Sequence, residues 1–332
     1  MINKLPLVSI VIPIYNQNEQ FLREAIESAI NQTYLNIEIL ISDNHCTNGS
    51  SEIMAEYAQK NSKIKIIIPP VFLSMNENFR FSYSMASGEY ICPLSSDDIL
   101  YPDMVSELIK PYLEYPNLAF AFSIPDMFSK VIGDKKWLPG KFTNGFYSAK
   151  SFLNLYIRPH NCLIWGGLLL KTSSFNKIGG FSKECFFLAD NDAIVKLILL
   201  KEKIYCVKKP LSAIRRWERE EQSNRSPYGL RDIATTSKYL ETEINQKRFD
   251  FDPKIVQKIR KNLFLHELFP IPYFIQLNKM PIERIEKTVI VINENYPNGI
   301  FNFVLKNRNN KIGLAFSIIY LSIMKVKSWI SI

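Results

Sequence analysis

Tyr90-Ile91-Cys92-Pro93-Leu94-Ser95-Ser96-Asp97-Asp98 is an apolar run of strand length that breaks into two hydroxyl residues and two adjacent carboxylates, with Tyr101-Pro102-Asp103 opening a helix just beyond. Adjacent carboxylates repel each other, and inside a protein that repulsion is costly unless a hard cation or a set of donors neutralises it. In open α/β sheets ligands bind outside the carboxyl ends of strands, so the position suits a metal that holds a phosphorylated substrate. A second reading is helix capping, because Asp98 and Asp103 both stand where capping oxygens are wanted. The chain in front of the stretch bears on that choice.

Leu7 to Asn16 has the nearly all-apolar pattern of a central strand covered on both faces, interrupted at Pro13. From Asn18, a candidate N-cap, the residues Phe21, Leu22, Ala25, Ile26, Ala29 and Ile30 recur at helical spacing. The unit repeats as a strand from Ile37 to Ile41 ending in Ser42-Asp43-Asn44, a polar loop through Asn48-Gly49-Ser50, and a helix over Glu52 to Gln59. A third strand at Ile64 to Ile68 and a helix with Phe79, Tyr83 and Ala86 on one face lead into the strand at Tyr90. Alternation at this spacing predicts an α/β fold, a Rossmann-like mixed and mainly parallel sheet flanked by helices. Three polar loops then gather at one sheet edge: Tyr15-Asn16, Asp43-Asn44, and Ser95 to Asp98. Neither a Gly-x-Gly-x-x-Gly nor a Gly-x-x-x-x-Gly-Lys cradle occurs, so a nucleotide bound here is held at its base and ribose by side chains such as Asp43, and at its phosphates by a metal.

The chain has 332 residues, 47% hydrophobic and 22% charged, enough to bury a sizeable core in one large domain or up to two. Val8 to Ile14 is only strand-length, so no secretory segment is expected at the N-terminus. Five cysteines stand far apart, never as Cys-x-x-Cys, which argues against a disulfide framework or a zinc knuckle and fits a reducing cytosol. Residues 1 to 200 hold 17 Lys and Arg against 19 Asp and Glu, whereas residues 201 to 332 hold 24 against 13. The second part is therefore the place to look for an acidic partner. Nucleic acid is excluded because this basic half has no recognised binding module and no interleaving of aromatic and basic residues.

Val8 to Asn16, Ser42-Asp43-Asn44 leading to Thr47-Asn48-Gly49-Ser50, and Ala86-Ser87-Gly88-Glu89-Tyr90 running into Ser95-Ser96-Asp97-Asp98 resemble the ordered signatures of family 2 glycosyltransferases with the GT-A fold. Gly179-Gly180-Phe181 and Asp190-Asn191-Asp192 fit the same order, so the resemblance covers about residues 6 to 223. It implies a domain 1–223, with a nucleotide-binding half (1–100) and an acceptor-binding half (101–223); beyond it, charge and recurring helical spacing predict a basic helical region 224–332. It implies a metal-dependent, inverting hexosyltransferase in cell-surface polysaccharide synthesis, using a nucleotide-diphosphate sugar, most often UDP-linked, and Mn²⁺ or Mg²⁺. The nucleotide-binding set it implies is Pro13, Tyr15, Asn16, Asp43, Asn78, Asp97 and Arg216, with Asp43 at the base. Asp97 and Asp98 are the metal pair and Asp190 the general base. Asp192 competes for that last role, and capping is open to both. Arg215 is the alternative to Arg216 for the diphosphate.

The chain also departs from the family pattern. Ser95 stands where many members have a first Asp, Asn44 replaces a common second Asp, His45 a common Gly, and Phe79 a common Arg. These departures keep open a catalytically inactive scaffold that binds a membrane or partner. Trp165 and Gly167 are candidates for the wall of a glycan or lipid-linked acceptor site, though a Trp in an apolar run is also an ordinary core residue. Beyond residue 225 helical patterns recur, and Ile312 to Met324 is an uncharged run between Lys311 and Lys325, too short to span a bilayer. It reads either as a helix lying on anionic lipid at the cytoplasmic membrane's inner face, or as a buried helix.

Overall fold

The computed structural model describes residues 5–129, 132–135, 142–156, 165–185, 189–200 and 202–215, and beyond them only 242, 254, 306–307 and 309–315. The helical region expected over 224–332 therefore lies almost wholly outside the described residues. In chain order the elements are β1 (Val8–Ile14), α1 (Glu19–Ile30), β2 (Ile37–Asp43), α2 (Ser50–Lys60), β3 (Ile64–Ile67), α3 (Met75–Ser84), β4 (Tyr90–Pro93), β5 (Ile99–Leu100) and α4 (Met104–Glu114). There follow β6 (Leu118–Ser123), β7 (Asp126–Phe128), β8 (Ile132–Lys135), β9 (Gly145–Tyr147), α5 (Ala149–Tyr156) and a single 3₁₀ turn at Trp165–Gly167. The last are β10 (Leu168–Lys171), α6 (Thr172–Lys177), α7 (Ala189–Leu199), β11 (Lys203–Val207) and β12 (Ser212–Arg215).

The chain divides into two compact units. The first is Met1–Leu153, Leu163–Lys183 and Ala193–Trp217; the second is Asn154–Cys162, Glu184–Asp192 and Glu218–Ile332. A single cut at 223 misses the two short inserts at 154–162 and 184–192.

An eight-stranded sheet, in the order β3-β2-β1-β4-β10-β6-β11-β9, forms the first unit's centre. Its β3-β2-β1-β4 half is parallel, β10 runs antiparallel between β4 and β6, and β6 pairs with β11 in parallel. A smaller sheet, β5-β12-β7-β8, stands apart from it. β1 and β2 are buried along their whole length, as strands covered on both faces must be. The helices bury the faces their spacing foretold: Leu22, Ala25, Ile26 and Ala29 of α1 are at zero exposure, and the Asn18 side chain caps the helix by accepting from the Phe21 N–H. Pro13 sits inside a central strand without costing a ladder bond. The β1–β4 pairing ends at Val11 opposite Pro93, with the Leu94 N–H reaching the Val11 carbonyl. The missing N–H of Pro13 falls on that same side, one step beyond the ladder.

Register is locked at the opposite end of the strands by a buried carboxylate. Glu38, 4% exposed, accepts at Oε1 from Ser9 Oγ (2.6 Å), the Ser87 N–H (2.9 Å) and Ser87 Oγ (2.6 Å), and at Oε2 from Lys65 Nζ (2.8 Å). Ser9 Oγ in turn accepts from the Gly88 N–H at 2.8 Å. A side chain at Gly88 would place its Cβ 2.7 Å from the Ser9 nitrogen, so the backbones meet here only because residue 88 has none. The Ala86-Ser87-Gly88-Glu89-Tyr90 motif thus fastens β4 to β1 and β2.

Burial by itself would raise the Glu38 pKa, but the hydrogen bonds from Lys65, Ser87 and Ser9 outweigh it and hold the carboxyl down at about 2. A depressed carboxylate stabilises the fold fully above its ordinary value of 4.5, and that stabilisation is lost as pH falls from there toward about 2. Urea unfolding across this range is expected to show stability declining below pH 4.5 in the wild type. Glu38→Gln is expected to cost about 1.5–3 kcal/mol at pH 7 and to lose that part of the acid decline.

Candidate functional site

The parallel register brings the carboxyl ends of β1, β2 and β4 together, with Ile14 opposite Asp43 and Pro93 opposite Val11. The loops that follow are stitched to one another. Asn16, in a left-handed conformation at φ +44°, accepts at its side-chain oxygen from the Thr47 N–H (2.7 Å), and the Gln17 carbonyl accepts from Asn48 Nδ2 (2.9 Å) and Ser50 Oγ (3.3 Å). Gln17 Nε2 donates to Ser96 Oγ at 2.7 Å, tying the β1 loop to the acidic turn.

Of the nucleotide-binding residues expected, Tyr15, Asn16, Asp43 and Asp97 share this edge with Asp98. Asp43 is 6% exposed; its Oδ1 accepts from the Cys46 N–H (2.9 Å) and Oδ2 from Ser51 Oγ (2.6 Å). Tyr15, 51% exposed, lies edge-on to Phe72, their centroids 4.9 Å apart, and these two rings make an aromatic wall beside Asp43's loop. Pro13 is buried within β1, and Asn78 is 4% exposed with its Oδ1 accepting from Ser42 Oγ at 2.7 Å. Both support the edge from beneath. Arg216 lies outside the described residues.

Asp97 and Asp98 are 5% and 6% exposed. The Asp98 N–H closes a turn on the Ser95 carbonyl (3.1 Å), and Asp98 Oδ1 accepts from the Arg215 N–H at 2.9 Å. Asp98 Oδ2 lies 3.6 Å from where a Cβ on Gly166 would stand, so the 3₁₀ turn packs on the pair through Gly166. Asp103 precedes α4 with no side-chain cap bond.

Arg215 is 7% exposed, its guanidinium 4.0 Å from the Phe21 ring centroid and 4.3 Å from that of Phe128. Its Nε donates to the Asp97 carbonyl (3.0 Å) and its Nη2 to Glu24. The family resemblance offers Arg215 as the alternative to Arg216 for the diphosphate; the structure makes it a buried support of the acidic turn. It ends β12, a strand buried along its whole length.

Trp165 and Gly167 fall elsewhere than an acceptor wall. Trp165 is 7% exposed, its indole N–H donates to the Tyr83 hydroxyl (2.7 Å), and its ring packs among Tyr83, Phe175 and Phe181 with centroids 5.0–6.1 Å away. No flat face is left open for a sugar, so the core reading of this Trp holds among the described residues. At Gly167 a Cβ would stand 2.8 Å from the Ser123 carbonyl oxygen, which makes it a point of backbone contact with the end of β6.

Asp190 and Asp192 lie in the first turn of α7 and are assigned to the second unit, whereas α7 from Ala193 onward is assigned to the first. Asp190 is half-buried and accepts at Oδ1 from the Asn191 N–H (2.8 Å), while Asp192 is 1% exposed.

No group of three or more His, Cys, Asp or Glu side chains among the described residues forms a metal cage. The donors at hand are two hard carboxylates, the set that suits Mg²⁺ or Mn²⁺ when substrate phosphates and waters complete the shell. The residues therefore fit a metal that arrives with a diphosphate.

This sheet order with an acidic turn at the strand ends defines a glycosyltransferase fold of the GT-A type. Residues 9–169 match glycosyl transferase family 2. Over 125 residues it is 33% identical to the hyaluronan synthase of Pasteurella multocida and 32% identical to the chondroitin synthase of strain Pm70 of that species. These matches cover 37% of this chain and only 12% of each relative. Among solved structures, S. aureus TarS 1–349 in complex with UDP-GlcNAc superposes with a TM-score of 0.69 over 97% of this chain and 92% of that one, at 15% identity. Mannosyltransferase PcManGT from Pyrobaculum calidifontis, in complex with GDP-Man and Mn²⁺, gives 0.56 over 98% and 88%, at 13% identity.

Asn44, an amide where relatives often carry an acid, clips the 69–74 segment. Its Nδ2 donates to the Leu73 carbonyl (2.8 Å) and its Oδ1 accepts from the Leu73 N–H (2.9 Å), while neighbouring His45, at φ +59°, contacts the Pro69 carbonyl through Nε2 (3.0 Å). Only an amide can do both, because a carboxylate has no donor for the carbonyl. Asn44→Asp is expected to cost about 1–3 kcal/mol of stability and to speed chymotryptic cleavage after Phe72, measured by denaturant unfolding and limited proteolysis.

Proposed function

We propose that this glycosyltransferase moves a sugar from a nucleoside diphosphate, UDP above others, to a hydroxyl of a glycan or lipid-linked acceptor, with inversion at the anomeric carbon. The observation that carries this reading is the buried Asp97–Asp98 pair beside the Asp43 loop at the carboxyl ends of parallel strands. Asp43 and the Tyr15–Phe72 wall receive the base, and the acidic pair receives the ribose and the metal.

The acceptor oxygen forms a bond to the anomeric carbon as the bond from that carbon to the diphosphate oxygen breaks. The acceptor proton passes to the carboxylate of Asp190, and the electron pair of the broken bond leaves on the diphosphate. A carboxylate general base typically contributes about 10² to 10⁴ in rate. Asp97 and Asp98 would hold a Mg²⁺ or Mn²⁺, which would supply stabilisation of the charge gathering on the leaving diphosphate. UDP as donor nucleotide, and polysaccharide as product, find support in the UDP complexes of TarS and in the two synthases named above. The excess of 24 Lys and Arg over 13 Asp and Glu after residue 200 supports attachment to anionic head groups on the inner face of the cytoplasmic membrane. No described helix is long and apolar enough to cross a bilayer.

Calorimetric titration of UDP, GDP and dTDP, each with Mn²⁺ and with EDTA, tests the reading. UDP is expected to bind at least about tenfold more tightly with Mn²⁺, and Asp98→Ala to abolish that difference. If none of the three diphosphates binds with Mn²⁺ present, the transferase reading is wrong.

A further inference from the structure

We propose that Arg215 is the positioning residue of the acidic turn, fixing the Asp98 carboxylate and the Asp97 main chain so that the pair can take a divalent cation together with a nucleoside diphosphate. The proposal rests on the function argued above. It assigns to β12 a role that no motif of the chain announced.

β12 runs antiparallel to β5, with Ser212 opposite Leu100 and Ala213 opposite Ile99. Continued by two residues, that register brings Arg215 to the level of Asp97, where its N–H meets Asp98 Oδ1 at 2.9 Å. The side chain then turns back over the same peptide, Nε donating to the Asp97 carbonyl at 3.0 Å. One residue thus holds both members of the pair, one by its carboxylate and the other by its backbone.

What fixes Arg215 is equally specific. Its guanidinium lies between Phe21 and Phe128, and Nη2 is held by Glu24. Phe21 and Glu24 are three residues apart on α1, one helical turn, and Phe128 comes from β7. Only a planar cation fills a slot with aromatic rings on both faces and acceptors at its edge, which is the respect in which Arg and Lys differ. Burying a guanidinium is costly, and an apolar residue of like volume often serves stability as well or better. The charge is therefore better explained by what it holds in place: two neighbouring carboxylates that repel each other, 5% and 6% exposed.

The test compares wild type with Arg215→Lys and Glu24→Gln. Glu24 is the softer point of the clamp, with its side chain 33% exposed, so Glu24→Gln loosens the guanidinium without emptying the core. Mn²⁺ binding is read by electron paramagnetic resonance in the presence of UDP, the residual affinity for UDP in EDTA by calorimetry, and folding by thermal melts. Arg215→Lys is expected to weaken UDP-dependent Mn²⁺ binding by about tenfold or more and Glu24→Gln by a smaller factor, because supports of metal ligands act at about this scale. UDP affinity in EDTA is expected to stay within about twofold of wild type in both, since the base loop is untouched. If Mn²⁺ affinity in both variants matches wild type, whatever the melts show, Arg215 is a stability residue only and the proposal is overturned. If Arg215→Lys fails to fold, Glu24→Gln alone decides by the same criterion. A wild-type protein that takes up no Mn²⁺ with UDP sinks the proposed function itself, and this role falls with it.

Discussion

Two neighbouring carboxylates, Asp97 and Asp98, are held almost out of water at the end of β4, and much of the first unit is arranged around that cost. Desolvated like charges drift apart or take up protons unless donors and fixed backbone hold them. Here a donor comes from the Arg215 N–H, the turn is closed on the Ser95 carbonyl, and Gly166 lets the Trp165–Gly167 turn approach closely. β12 reaches the acidic turn from the smaller sheet, β5-β12-β7-β8, where it pairs with β5 just beyond Asp98.

The same strands are governed at their other end by Glu38, Ser9 and Gly88. A slip of one residue in a buried parallel strand would turn every side chain to the opposite face and move the strand ends relative to one another. The Glu38 network makes that slip costly, since it would strip a buried carboxylate of donors from β1, β3 and the α3–β4 turn together. Residues with no part in the chemistry therefore decide that Asp43, Asn16 and the acidic pair meet at one edge. The glycine of that motif is required by contact, since residue 88 passes within van der Waals distance of the β1 backbone.

Much of this was legible before any coordinates. The four parallel strands and the helices between them announce themselves by apolar runs and helical spacing, because both faces of the sheet are covered there. Past Asp98 the signal weakens for physical reasons. β5, β7 and β9 are two or three residues long, too short to show a period, and β10 follows directly on a buried 3₁₀ turn. Trp165 illustrates the ambiguity: its sequence neighbourhood suits a sugar platform and a core residue equally, and only Tyr83, Phe175 and Phe181, distant in the chain, decide for the core. Arg215 was visible as a charge, but whether it faces a ligand or a protein interior depends on Phe21, Glu24 and Phe128, which no local pattern connects.

The departures from the family pattern gain a different meaning once their partners are known. Asn44 in place of an acid is not a lost ligand here, because both ends of its amide are used on Leu73, and an acid could satisfy only one of them. Ser95 in place of an acid leaves its carbonyl to close the turn at Asp98, a task for which side-chain identity is irrelevant. Both substitutions had kept an inactive scaffold in play, and both are accounted for by backbone geometry around carboxylates that remain. The segment that Asn44 secures carries Phe72 against Tyr15, so the amide acts on the edge at Tyr15 through a loop. A chain shedding its chemistry would have no need to hold that loop by two hydrogen bonds, or to bury a guanidinium behind the acidic pair.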